Sequence, residues 1–165
     1  MNNGDKKLIG QRLSTRVATG IMFVELDYLP RHKNPDSAWI RNIYILLSFY
    51  TELLLKAIFV MTGDFENMTD LDQKLRKGGH NLKIVGQQIG KEKLSQFGIR
   101  DIQFKNREYL IETERGNFYV KDFNDIRYDF LDGSIRTLNG DEHELFQKQI
   151  EIMHKINEKL KLLVW

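Results

Sequence analysis

The segment from Trp39 to Thr62 constrains the fold more than any other. Trp39, Ile40, Ile43, Ile45, Leu46, Leu47, Phe49, Leu53, Leu54, Ile58 and Phe59 leave almost no side of a helix polar. A helix that is apolar all round has no face to give to water, so it belongs in the middle of other elements. A membrane span is the competing explanation, and it needs about 20 mostly apolar residues. Here Ser48, Thr51, Glu52 and Lys56 interrupt the run, and a central Glu and Lys would be costly in lipid. The expectation is a buried core helix over residues 36–62, with no membrane. Asp36 or Ser37 would cap it by accepting a free backbone N–H, and Gly63 would close it.

The flanking segments supply the rods around this core. Leu13, Val17, Ile21, Val24 and Tyr28 recur at helical spacing, which predicts a first helix over residues 6–29. Pro30 stops it, because proline lacks an N–H and disfavours helix in the residue before it. Residues 64–78 read as irregular, with one helical turn near Leu71 to Leu75. A third helix is predicted to begin at His80 or Asn81 and to carry Leu82, Val85 and Ile89 inward. Gly86 and Gly90 weaken it, each by about 1 kcal/mol relative to Ala. Residues 91–97 suggest a further helical turn. The last helix is predicted over residues 142–163, on the stripe Leu145, Gln149, Ile152, Ile156, Leu160 and Leu163. Asp141 and Glu144 resemble a capping box at its start.

Between these helices the pattern changes. Tyr109 to Thr113 and Phe118 to Lys121 are rich in β-branched and aromatic residues, and residues 114–117 have turn chemistry. This predicts a β-hairpin insertion within residues 99–123. The fold class expected is therefore mainly α, an up-down four-helix-type bundle with a small β-hairpin before the last helix. Residues 1–165 are expected to form one domain.

Composition narrows the chemistry. At 41% apolar and 29% charged, the sequence is that of a folded globular chain. It has no cysteine, which removes disulfides, Cys-ligated zinc and a thiol nucleophile. No signal-type apolar core follows Met1 to Lys7, so a reducing, cytoplasmic setting is expected. A net charge of +2 does not by itself argue for nucleic acid. No metal or dinucleotide motif occurs, and no cofactor is expected.

Three constellations carry candidate chemistry. Glu52 and Lys56 stand one turn apart in the favourable order, inside an apolar helix where an unpaired charge is expensive. The ordinary reading, a polar seam at a bundle edge or dimer interface, is preferred. His80 follows two glycines in the most basic window of the chain. Between positions 74 and 93 there are six bases (Lys74, Arg76, Lys77, Lys83, Lys91, Lys93) against one acid, Glu92. Lys74, Arg76, Lys77, His80 and Lys83 form a candidate footprint for phosphate. The ordinary alternative is a solvated helix edge with His80 as a cap. Around the hairpin, aromatic residues alternate with bases in a way that could stack unpaired bases. Residues 100–130 nevertheless hold six bases and seven acids, which favours ordinary packing. His32 and His154 show no ligand spacing.

Phe49 to Ala57, then Gly79-His80-Asn81-Leu82, then Ile126-Arg127-Tyr128 together resemble the HEPN family of helical bundles. That resemblance implies dimerisation through the bundle. It also implies association with RNA or nucleotide, or with a partner protein such as a nucleotidyltransferase, in a toxin–antitoxin or defence setting. Arg127-Tyr128 matches the family's Arg-Tyr step, with Asp129 where proline is usual. A structural role is expected there, the guanidinium pairing with a carboxylate of the bundle such as Glu52 while the ring packs beneath.

HEPN ribonucleases carry an arginine and, four to six residues on, a histidine, which cleave RNA without metal across a dimer groove. Arg136 and His143 have six residues between them, and the resemblance makes them the candidate catalytic pair. The imidazole would move the 2′-hydroxyl proton and the guanidinium would stabilise charge on phosphorus. Thr137 stands where the family places Asn, Asp or His. The expected function is accordingly binding rather than cleavage. A metal-independent endoribonuclease and a non-catalytic interaction scaffold are the alternatives.

Overall fold

A computed structural model of the chain describes residues 1–29, 37–122 and 142–165. Among them are six α-helices: α1 (Asn3–Phe23), α2 (Ser37–Thr62), α3 (Met68–Gly78), α4 (Leu82–Ile89), α5 (Lys91–Gln96) and α6 (Glu142–Val164). Three strands, β1 (Ile99–Lys105), β2 (Glu108–Thr113) and β3 (Gly116–Lys121), lie between α5 and α6 in the sequence. The protein is thus mainly helical with a small antiparallel sheet, and one apolar cluster runs through all these elements.

α2 stands at the centre, touching α1, α4, α6 and β3. It is long and apolar enough to cross a membrane, yet 67% of its most apolar window is buried inside the fold, so it is the core helix. At about 100° per residue its sides are distinct. Tyr50 and Met61 fall on one side, toward α1. There the glycines of α1 permit close approach: a Cβ on Gly20 would lie 2.0 Å from the Tyr50 ring, and one on Gly10 would lie 2.6 Å from Met61 Sδ. Thr51 points toward α6, with its hydroxyl 3.5 Å from Met153 Sδ. Ser48, Glu52 and Lys56 occupy the side opposite Tyr50. Ser48 Oγ donates to the Lys121 carbonyl at the end of β3 (3.0 Å).

α1 begins three residues earlier than its apolar stripe implied, because Asn2 caps it by accepting the Asp5 N–H. It does not continue as an α-helix to Leu29. From Val24 to Tyr28 it widens into a π-helical turn, which re-phases the exposed face. Val17, Ile21 and Val24 point inward as the stripe required. α1 is tied to α6 by a buried neutral pair: Ser14 Oγ donates to Asn157 Oδ1 (2.9 Å), and Asn157 Nδ2 donates back to the Ser14 carbonyl (3.2 Å).

Three expectations change. α3 is an eleven-residue helix rather than a single turn. Asn67 caps it, and ion pairs one turn apart, Asp70–Lys74 and Asp72–Arg76, brace it. The predicted hairpin is a three-stranded meander in the order β1-β2-β3. β1 turns into β2 through Asn106 and Arg107, both at positive φ (55° and 64°), as a two-residue hairpin turn requires. The turn from β2 to β3 is also tighter than residues 114–117, because the ladder already pairs Thr113 with Gly116. Finally, Gly86 is more than a weak point in α4, since a Cβ there would lie 2.8 Å from Ile102 Cδ1 of β1. The row Ile102, Ile111 and Phe118 forms the buried side of the sheet. The expected chain stop at Pro30, the caps Asp36 and Asp141, and His32, Arg127, Tyr128 and Arg136 lie outside the described residues.

Candidate functional site

The polar side of α2 holds the most unusual group in the protein. Glu52 is only 3% exposed, and burial of a carboxylate is costly unless it is paired. Both its oxygens are engaged. Lys56 Nζ donates to Oε1 at 2.6 Å, and His80 Nδ1 lies 2.8 Å from Oε2. Lys56 follows from helical spacing. His80 arrives from 28 residues away, in the turn between α3 and α4.

Local chemistry makes that turn. α3 ends at Gly79, whose φ of 54° and ψ of −129° suit glycine. α4 starts at Asn81, whose side chain accepts the Ile84 N–H at 3.0 Å. Asn81, rather than His80, is therefore the helix cap, and the imidazole is left to meet Glu52. The His80 side chain remains 48% exposed and that of Lys56 20%, against 5% for Glu52. A buried carboxylate thus orients two cationic or protonatable groups whose outer parts reach the surface.

The surrounding basic window is less free than its composition suggests. Lys74 pairs with Asp70, Arg76 with Asp72, and Lys91 with Asp101 (3.7 Å). Lys93 Nζ donates to the Thr62 carbonyl at 2.6 Å and so caps the C-terminal end of α2. The partners Asp70, Asp72 and Asp101 all lie outside positions 74–93, so a count over the window alone missed them. Lys77 and Lys83 are exposed and bond to no described residue. At the surface of α3, the hydrogen bond from Lys74 holds the Asp70 carboxyl below its ordinary value of 3.8, with the Glu66 N–H adding to the effect.

His143 belongs to a different place. It lies exposed in the first turn of α6, with Nε2 3.0 Å from Gln147 Nε2. It lines a cavity of 590 Å³ between α6 and the π-helical turn, together with Glu25, Leu29, Ile150 and His154. His154 Nε2 is 3.2 Å from Glu25 Oε2. His143 and His154 are eleven residues apart on one helix, about 16 Å along its axis, so they do not act on one phosphate together. The described residues contain no group of three or more His, Asp or Glu side chains fit to hold a metal ion.

Comparison supplies no family. No family model, curated protein or solved structure matches this chain.

Proposed function

We propose that this chain is a HEPN-like helical bundle, acting in the cytoplasm, that binds the phosphate of a nucleotide or RNA at the Glu52–Lys56–His80 cluster and binds rather than cleaves. One observation carries the reading: a carboxylate buried in the central helix engages two cation-type side chains that both reach the surface. Buried ion pairs seldom repay their desolvation through stability alone, so a positioning role accounts for the arrangement better. Glu52 fixes the directions of Lys56 and His80. Lys77 and Lys83, on the helices either side of the His80 turn, add unengaged positive charge for a phosphate backbone.

The test is retention of labelled RNA oligomers, and nucleotide-induced thermal shift, at two salt concentrations. Wild type should bind with an affinity that falls as salt rises. His80→Ala and Lys56→Met should each weaken binding by about tenfold or more, a loss of ~1.4 kcal/mol. Absence of both RNA retention and nucleotide shift in the wild type would remove the proposal.

The second reading is a metal-independent endoribonuclease using Arg136 and His143. It is favoured by one observation, that His143 opens onto a cavity rather than into the core. If the Arg136→Ala, His143→Ala double variant cleaved RNA as fast as wild type, that assignment would fail.

A further inference from the structure

A second surface, remote in sequence from Glu52, is built to receive a partner of a different kind. A groove of 700 Å³ runs along α1 beside the last residue of the chain. Its apolar lining is Leu8, Ile9, Leu13 and Trp165. The Trp165 side chain is 76% exposed and Leu8 is half-exposed. The charged side chains that line it are Arg12 and Arg16. Both arginines are exposed, and neither makes a hydrogen bond or ion pair with any described residue. By contrast, Lys74, Arg76, Lys91 and Lys159 each sit beside an acid.

We infer that this groove docks an acidic amphipathic helix from a partner protein. Arg12 and Arg16 are one helical turn apart, about 6 Å along the axis. Two carboxylates one turn apart on a partner helix match that spacing, and each can take a guanidinium in the paired, bidentate geometry. Leucine-type side chains on the same partner face fill the space against Leu8, Ile9, Leu13 and Trp165, the mode in which an apolar helix face lies in a groove. Single-stranded nucleic acid fits less well. It needs a platform of successive aromatic rings, and this groove offers one ring among aliphatic walls.

The experiment pans a display library of random peptides, each about 16 residues or four to five helical turns, against the full chain. Enriched peptides are expected to be acidic, with leucine-type residues three and four apart. Their binding should change Trp165 fluorescence, and Trp165→Phe separates that signal from the buried Trp39. The R12E/R16E double variant should bind them at least about tenfold more weakly, while its circular dichroism and melting curve stay unchanged. Enrichment of neutral or basic peptides, or equal binding by R12E/R16E, would overturn the inference. So would an RNA oligomer that displaces the peptides in an Arg12- and Arg16-dependent way, or a homodimer that R12E/R16E dissociates.

Discussion

The two opposite sides of α2 are built on different principles. Toward α1 the contact is dry and close. Glycines at positions 10 and 20 let the helices approach until the Tyr50 ring and the Met61 side chain fill the gap. Toward α4 and β3 the same helix presents Ser48, Glu52 and Lys56, and the contact is a chain of directed polar bonds. The first side holds the fold by shape and tolerates no added volume. The second gives up apolar burial to fix the direction of two side chains. A helix meant only to support a bundle would use the first principle all round.

The largest expected effect breaks the dry side. Gly20→Val places carbon where the Tyr50 ring already sits, and overpacking of this kind costs about 1–3 kcal/mol. Gly10→Val should cost less, because its clashes are with the Met61 thioether and one Val164 methyl, at 2.6 and 2.8 Å, rather than with a ring at 2.0 Å. Urea denaturation of both variants gives the order, and equal losses would mean that the ring and the methionine yield alike. Asn157→Leu should rank beside Gly20→Val. It leaves the buried Ser14 hydroxyl without its acceptor, at about 1–3 kcal/mol. None of these three should change RNA or nucleotide binding.

The polar side should respond in the opposite sense. Glu52→Leu removes a buried charge, and both former partners can turn toward water. Its effect on stability is expected to be about 1 kcal/mol or less in either direction. Phosphate binding should nevertheless fall as far as in His80→Ala, because the imidazole and ammonium lose the group that aims them. A Glu52→Leu protein that unfolds would make the cluster part of the scaffold and erase the contrast.

Much of the dry side was legible in the sequence, and the polar side was legible only in part. The stripe Val17, Ile21 and Val24 and the all-round apolarity near Leu53 announce α1 and α2 by period alone. The pair Glu52–Lys56 is visible because helical spacing places the two together. His80 as their third member is not, because nothing local links residues 28 apart; the expected partner of Glu52 was Arg127, which lies outside the described residues. β1 escaped for a related reason. Its apolar residues Ile99, Ile102 and Phe104 are out of strict alternation, and the bulge between Ile99 and Asp101 explains why. The turn that starts β2 uses Asn106 and Arg107 rather than glycine, so it gives no obvious hairpin signal. α3 was underestimated because its apolar stripe is short, Leu71 in the core and Leu75 packed beside it, while its start is set by the Asn67 cap.

The smallest effect sharpens the contrast at the surface. Asp70 caps no helix with its side chain, yet its carboxylate accepts from Lys74 Nζ at 2.9 Å and from the Glu66 N–H at 3.1 Å. Both bonds favour the charged form, so the folded carboxyl titrates below its ordinary value of 3.8. The sign follows by linkage. A group lowered on folding stabilises the protein above its unfolded value, and that contribution is lost as the pH falls through the lowered folded value. Acid denaturation of wild type should therefore steepen below about pH 4, and Lys74→Met should flatten that part of the curve slightly. Because the pair is exposed to solvent and screened by salt, raising the ionic strength should shrink the difference. The Glu52 carboxylate is shielded at 5% side-chain exposure, so its contribution to stability should respond less to salt than that of Asp70. If salt moved both equally, the Glu52 cluster would be behaving as an ordinary surface ion pair, and the distinction between the two kinds of contact would be lost.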